Sequence, residues 1–128
     1  MLFVIAGVLG ILLGIFVHFT IPAVLSAYVG VAILAGLDSI FGGFVAIINK
    51  KFSNKIFATG LLGNAILAVF LVYIGNLIGL DLTLAAIVAF GVRIFGNLAT
   101  MRRFALDVLE KKWQKNKSLK LEQKETNT

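Results

Sequence analysis

Charge is nearly absent from most of this chain. Only six of its 18 formally charged side chains fall within the first 101 residues, and two of these, Asp38 and Arg93, stand inside otherwise apolar runs. Apolar residues make up 59% of the sequence, and its mean hydropathy is +0.99. A water-soluble domain needs far more polar residues to cover its surface. The pattern therefore predicts an all-α integral membrane protein.

The apolar runs have the length of membrane helices, which need roughly 20 residues each. Breaks between the runs place four transmembrane helices at about 2–17, 22–49, 56–78 and 81–101. No Lys or Arg precedes the first run, so we expect a retained helix there rather than a signal peptide. The long second span is most easily broken at Gly42–Gly43.

Basic residues in the short connections predict the orientation of the protein. Lys50, Lys51 and Lys55 lie between the second and third spans, and Arg102–Arg103 follow the fourth. Basic loops stay on the cytoplasmic side of a membrane. Four spans then place these residues and both termini in the cytoplasm.

An internal repeat indicates how the spans are arranged. The segments AILA (32–35) and IFG (40–42) are matched by AIVA (86–89) and IFG (94–96), at a constant offset of 54. Such a repeat predicts two tandem, parallel helical hairpins. Coincidence among a few abundant apolar residue types is the alternative.

The polar C-terminal part begins after the fourth span. Residues 102–117 show helical spacing of apolar side chains and form a cytoplasmic amphipathic helix, which either continues the fourth span or bends to lie on the membrane. Residues 118–128 are polar and mixed in charge, so we expect disorder. We expect the following residues to meet anionic lipid headgroups: Lys50, Lys51, Lys55, Arg102, Arg103, Lys111, Lys112 and Trp113.

Three polar side chains on three spans come to a similar depth. Counted at the helical rise from the nearest basic connection, Asp38 lies about 18 Å deep, and Arg93 and Asn64 lie about 13 Å deep. An ion facing lipid there would cost roughly 2.5–3.5 kcal/mol or more. We therefore predict a buried network in which Asp38 faces Arg93 and Asn64 completes the pairing, extended by Ser39 and Asn97.

Small residues flank this network and predict close helix packing. The glycines concerned are Gly10, Gly14, Gly36, Gly42, Gly43, Gly60 and Gly96. The Asp38–Arg93 pair has two interpretations, a latch that fixes the register of two helices or a functional site. We favour the latch, because no further titratable groups accompany the pair.

The residues exclude several function classes. The chain has no cysteine and one histidine, and no paired-carboxylate, Ser/His or His/Glu arrangement of the kind that hydrolysis needs. We expect no enzyme, no metal and no cofactor. The basic residues cluster in an otherwise apolar protein, which indicates a lipid surface rather than nucleic acid as the partner.

Three motifs carry a family resemblance. They are ILAGLDSIFGG (33–43), FLVYIG (70–75) and FGVRIFGNLA (90–99). With these motifs in this order, the chain resembles the bacterial small basic protein family. The resemblance covers about residues 5–110. The resemblance implies a short protein of the bacterial cell membrane, of undetermined function and often encoded near cell-division genes.

Two functions fit these features. The first is a non-enzymatic membrane protein that forms homo-oligomers or scaffolds other membrane proteins, in cell division or envelope assembly. The alternative is a small transporter or channel component with Asp38 and Arg93 near a solute path. Glycine-rich helix faces exceed what one four-helix unit needs, which favours the first.

Overall fold

The chain folds into four helices. The structure is a computed structural model that describes residues 2–17 and 19–127, and Phe3 only by its backbone. The helices are α1 (Leu2–Phe16), α2 (Ala23–Ile48), α3 (Asn54–Ile78) and α4 (Leu82–Thr126), and the described residues include no β-strand. The predicted all-α class is confirmed.

Local sequence signals set the helix ends. Pro22, with φ −55°, stands directly before α2 and has the backbone angle that a helix start needs. Gly79 ends α3 in the left-handed conformation, with φ 70°, which glycine adopts without strain. Asp81 caps α4 and accepts a hydrogen bond from the Leu84 N–H at 3.1 Å.

Three of the helices have the length and composition to cross a membrane. These are α2, α3 and α4. Helix α1 is also apolar but has only 15 residues, about 22 Å at the helical rise. It ends at Phe16, so the prediction of four helices is confirmed, whereas a full crossing by α1 stays a prediction.

Two helices are more continuous than the sequence suggests. Helix α2 runs unbroken through Gly42–Gly43, where Gly43 packs against the Phe57 ring and Val4. Helix α4 runs unbroken past Arg102 to Thr126, so the disorder expected for residues 118–128 is not found in the described residues, and Thr128 lies outside them. The physical reason is that no glycine or proline follows Gly96, and Lys, Leu, Glu and Gln are good helix formers.

Helix α2 lies at the centre of the bundle. It packs along both α3 and α4, while α1 lies against α2 and α3. Tyr28 and Asn76 join α2 to α3 near the α3–α4 turn by a hydrogen bond of 3.1 Å. The tandem-hairpin arrangement suggested by the repeat stays a prediction.

The bundle has two unlike halves. The turn-side half, next to the α3–α4 turn, has an apolar core. Its buried residues are Val31, Ala35, Ala68, Val72, Ala86 and Phe90. The loop-side half, next to the α2–α3 connection, has a smaller apolar cluster of Val4, Ile40 and Phe57 beneath α1. It also holds the polar residues of α2, α3 and α4 that the sequence singles out.

Candidate functional site

An ion pair joins α2 to α4 in the loop-side half. The Arg93 Nη2 lies 3.1 Å from the Asp38 Oδ2. The two partners differ in exposure, since the Asp38 side chain is fully buried and that of Arg93 is 59% exposed. The structure therefore brings together the two charges that stand alone in apolar runs. It places only one of them in the interior of the chain.

Helix α3 contributes the third member of the network. The Asn64 Nδ2 donates to the Asp38 Oδ2 and to the Ser39 Oγ, each at 3.3 Å. Three helices thus meet at one carboxylate. The other oxygen of that carboxylate, Asp38 Oδ1, is buried and has no hydrogen-bond partner among the described residues.

Asn97 lies apart from this hydrogen-bonded set. Its Nδ2 is 3.7 Å from the position that a Cβ on Gly42 would occupy, one helical turn along α2 from Asp38 and Ser39. Among the described residues, no hydrogen bond joins it to the network. Of the predicted five-residue network, Asp38, Arg93, Asn64 and Ser39 are connected, and Asn97 faces the adjacent turn of α2.

A cavity adjoins the ion pair. It has a volume of about 200 Å³ and extends from Asp38 and Arg93 to the connection between α2 and α3. We call it the loop-side cavity. Its polar lining residues are Asp38, Ser39, Lys51, Ser53, Asn64 and Arg93. A polar space therefore reaches from the exposed connection down to the buried carboxylate.

A second space is almost wholly apolar. It is a groove of about 510 Å³ between α1 and α2, floored in part by Leu61, which also lines the loop-side cavity. Gly10, Gly14 and Gly36 line this groove. We call it the α1–α2 groove.

The predicted packing glycines fall into two groups. Gly43 makes a close approach, because a Cβ there would lie 2.9 Å from the Phe57 ring. Gly42 makes an ordinary contact with Asn97. The other five would meet no atom within 4 Å: Gly10, Gly14, Gly36, Gly60 and Gly96. Within this chain these five do not permit a close helix contact. At four of them the space is open: Gly10, Gly14 and Gly36 line the α1–α2 groove, and Gly60 lines the loop-side cavity.

The residues predicted to meet lipid headgroups are all exposed. They comprise Lys50, Lys51, Lys55, Arg102, Arg103, Lys111, Lys112 and Trp113. The Lys117 Nζ also lies 5.3 Å from the centroid of the Trp113 ring, a cation–π contact. Binding of these residues to lipid stays a prediction.

Sequence reasoning missed two features of the site. It did not place Lys51 and Ser53 in the lining of the cavity that adjoins the ion pair, and it did not pair Tyr28 with Asn76. The signal for the second was available, because both side chains lie near the same ends of two consecutive spans. For the first there was no signal, since the course of a connection between helices has no periodicity.

The arrangement can bind a charged group. The described residues contain no group of three or more His, Cys, Asp or Glu side chains that could hold a metal ion. The buried carboxylate instead contacts one nitrogen of a guanidinium whose side chain is largely exposed. Such a guanidinium is suited to a hydrogen-bonded anion or to a structural latch.

Comparison with known proteins identifies relatives of this chain. The family profile described as "Protein of unknown function (DUF1290)" matches residues 21–106. The chain is 43% identical over 111 residues to the "Small basic protein" of Bacillus subtilis (strain 168), covering 85% of this chain and 92% of that protein. It is 40% identical over 96 residues to an uncharacterized protein of Mycobacterium tuberculosis (strain ATCC 25618 / H37Rv), covering 73% and 79% of the two chains.

No solved structure shows significant similarity to this chain. The family match includes Asp38, Asn64, Arg93 and the connection that bears Lys51 and Ser53. It also ends shortly after the apolar part of α4. By the extent of these matches, the chain belongs to the small basic protein family, DUF1290, whose function is unknown.

Proposed function

We propose that this chain is a non-enzymatic, multi-pass protein of the bacterial cell membrane that forms homo-oligomers or holds other membrane proteins together. Residues 1–101 form a transmembrane domain of four helices, and both termini lie in the cytoplasm. The family resemblance suggests cell division or envelope assembly as the process served. The observation that carries the proposal is the length of α4 beyond the bundle.

Helix α4 extends far past the helices that pack against it. Residues 102–126 are all exposed and span about 36 Å at the helical rise. Val108 and Leu109 lie on one side of this extension, with Phe104 one turn before Val108 and Trp113 one turn after Leu109, and Glu110 lies on the side opposite Val108. An amphipathic helix with an unpartnered apolar face is typical of a segment that binds another helix or a membrane surface.

The apolar part of the chain also supports assembly. Five glycines that the sequence predicts for close packing have no neighbour at the position of an added Cβ. Membrane helices use such residues to approach each other closely. Faces without a partner inside one chain are available to a second chain.

The orientation has support from the order of the elements. Two helices separate the Lys50–Lys55 segment from Arg102, so the two basic segments lie on one side whether or not α1 crosses the bilayer. The contact of Val4 with Gly43 brings the N-terminal end of α1 to the same end of the bundle. Basic segments favour the cytoplasmic side.

Single cysteines test this topology without interference, because the chain has none of its own. In intact cells, we expect a membrane-impermeant thiol reagent to label Thr20→Cys. We expect it to label Ser53→Cys and Asn127→Cys only after the membrane is opened. Labelling of Asn127→Cys in intact cells would contradict the topology.

Site-specific photocrosslinking tests assembly. Two copies with different tags are expressed together, and a photoreactive residue replaces either Val108 on the apolar face of the α4 extension or Glu110 on the opposite face. We expect a crosslinked species bearing both tags, or one reproducible partner, from position 108 and much less from position 110. Equal crosslinking from both faces, or none, would contradict the proposal.

Transport is the second candidate, and the loop-side cavity favours it. In one chain the cavity ends at Asp38, and the apolar turn-side core lies beyond it. A solute path through these residues would have to open that core. Under the assembly proposal, Ala35→Cys stays inaccessible to a water-soluble thiol reagent added from either side, whereas reaction from both sides would support transport.

A further inference from the structure

The guanidinium of Arg93 is incompletely paired. One nitrogen, Nη2, contacts Asp38, and the side chain is 59% exposed. Among the residues that the structure describes, Arg93 has no other hydrogen-bond or ion-pair partner. Arginine carries five N–H donors and keeps its charge. At about 13 Å from Arg102 along α4, these donors need a polar partner, since an unpaired ion is costly at that depth.

Asp38 contacts the guanidinium through one oxygen only. Its side chain is fully buried, its Oδ2 accepts from both Asn64 and Arg93, and its Oδ1 has no hydrogen-bond partner among the described residues. Asp38 holds the Arg93 Nη2 in place, while the Arg93 side chain as a whole stays largely exposed. Asp38 therefore acts as a positioning residue for a binding group.

The charges of the loop-side cavity favour an anion. Its lining contains two basic residues, Arg93 and Lys51, against the single carboxylate of Asp38. Ser53, which also lines the cavity, adds a hydroxyl group that can donate a hydrogen bond. Arginine together with lysine is a common arrangement for phosphate, which accepts several N–H groups at once.

The surroundings indicate that this anion has an apolar body. Ile56, which lines the cavity, is 72% exposed, and Phe95, two residues beyond Arg93 on α4, is 73% exposed. The apolar α1–α2 groove shares Leu61 with the cavity. A second copy packing by the same face would set Arg93 against Arg93, so like charges disfavour it unless an anion lies between them.

We propose that the loop-side cavity binds the phosphate of an anionic phospholipid, with Arg93 and Lys51 as the charged ligands and Asp38 holding Arg93 in position. The site rests on the membrane placement proposed above and is independent of the assembly function. The C-terminal segment takes no part in it.

Native mass spectrometry of the full chain tests the site. The purified, delipidated protein is titrated in neutral detergent with phosphatidylglycerol or with phosphatidylcholine of the same acyl chains. We expect one phosphatidylglycerol per chain, bound roughly tenfold or more tightly than phosphatidylcholine, because the choline cation would stand next to Arg93 and Lys51 and offset the attraction of the phosphate. Equal affinities for the two lipids would overturn the proposal.

Matched variants locate the site. Lys51→Gln should weaken phosphatidylglycerol binding roughly tenfold, whereas Lys55→Gln removes the same charge outside the cavity and should have little effect. Gly60→Leu fills the cavity and should abolish specific binding. Gly63→Leu places the same side chain in open space one turn further along α3 and should not.

Arg93→Gln should also weaken binding, but it leaves Asp38 buried without its cation, so folding has to be checked by circular dichroism. The matched lysine variants and the matched glycine variants leave the Asp38–Arg93 pair intact and avoid that difficulty.

Equal losses in Lys51→Gln and Lys55→Gln would show binding by general surface charge and would overturn the site. Displacement of the lipid by inorganic phosphate at comparable concentration would show that the cavity takes free phosphate and would overturn the assignment to lipid. Crosslinking through α4 is measured separately, so failure here leaves the assembly proposal to its own test.

Discussion

The two halves of the bundle solve the packing of three helices in opposite ways. In the turn-side half, α2, α3 and α4 meet through Ala35, Ala68 and Ala86, all at most 2% exposed. In the loop-side half, the same three helices meet through Asp38, Asn64 and Arg93, beside a cavity of about 200 Å³. One half is filled with small apolar side chains, and the other is held by charge.

This difference separates stability from function. Alanine contacts bring helices close together without leaving polar groups to satisfy. A charged contact in a membrane is stabilising only while both partners are present, and the remaining charge must be covered. We infer that the turn-side half provides the rigid support, and that the loop-side half, with its charges and its cavity, is the part of the bundle suited to binding.

The largest expected effect comes from removing Arg93. Arg93→Met leaves a fully buried carboxylate with Asn64 as its remaining partner, and we expect a loss of about 3–5 kcal/mol. Asp38→Asn should cost less, because the exposed guanidinium can turn toward the headgroups. Unfolding in denaturing detergent, followed by circular dichroism, measures both. A larger loss of stability for Asp38→Asn than for Arg93→Met would mean that Arg93, and not Asp38, is the buried partner of the pair.

The next effect tests whether the turn-side half is filled. Ala86→Leu inserts a large side chain between α2, α3 and α4 and should cost about 1–3 kcal/mol through overpacking. Ala85→Leu, the adjacent exposed position, should be nearly neutral and serves as the control. The same unfolding assay applies. Equal tolerance at both positions would contradict the contrast between the halves.

Two neighbouring glycines of α2 test where the chain is closely packed and where it has room for a larger side chain. Gly43→Ala would place a Cβ 2.9 Å from the Phe57 ring, so we expect a loss of about 1 kcal/mol or more. Gly42→Ala makes an ordinary contact and should gain roughly 0.5–1 kcal/mol from helix propensity. Thermal unfolding of the two variants in one detergent gives the comparison. If both Gly43→Ala and Gly42→Ala raise the thermal stability, then α1 and Phe57 lie further from α2 than described above.

The smallest effect is at the connection beside the cavity. Lys50 has a left-handed backbone, with φ 57°, a conformation that favours glycine after a helix end. Lys50→Gly should stabilise the chain by up to about 1 kcal/mol. Lys55→Gly lies in the first turn of α3 and should destabilise it by a similar amount. If Lys50→Gly is no more stable than the natural chain, the connection does not keep Lys50 in this left-handed conformation.

Sequence reasoning predicted the ion pair because depth in a membrane can be counted. Asp38 and Arg93 each lie a known number of residues from a basic connection, and the cost of a lone charge favours their pairing. The helix starts after Pro22 and Asp81 followed from local signals in the same way. The helix starts depend on one segment of the chain at a time, and the ion pair depends on the high free-energy cost of an unpaired charge.

The remaining features depend on how helices stand relative to one another. A glycine such as Gly60 can permit a close contact or border a void, and only the position of the neighbouring helix decides which. The exposure of Arg93 and the place of Lys51 in the cavity have the same origin. The continuation of α4 to Thr126 was missed because a mixed-charge composition suggests disorder, while the individual residues favour a helix.

The coupling between Asp38 and Arg93 is the central claim, and a double-mutant cycle measures it most directly. Asp38→Leu, Arg93→Met and the double variant are compared with the natural chain by the same unfolding assay. We expect the double variant to recover most of the loss seen in Arg93→Met, with a coupling energy of at least about 2 kcal/mol. Losses that simply add in the double variant would contradict the pairing of α2 with α4 on which the account depends.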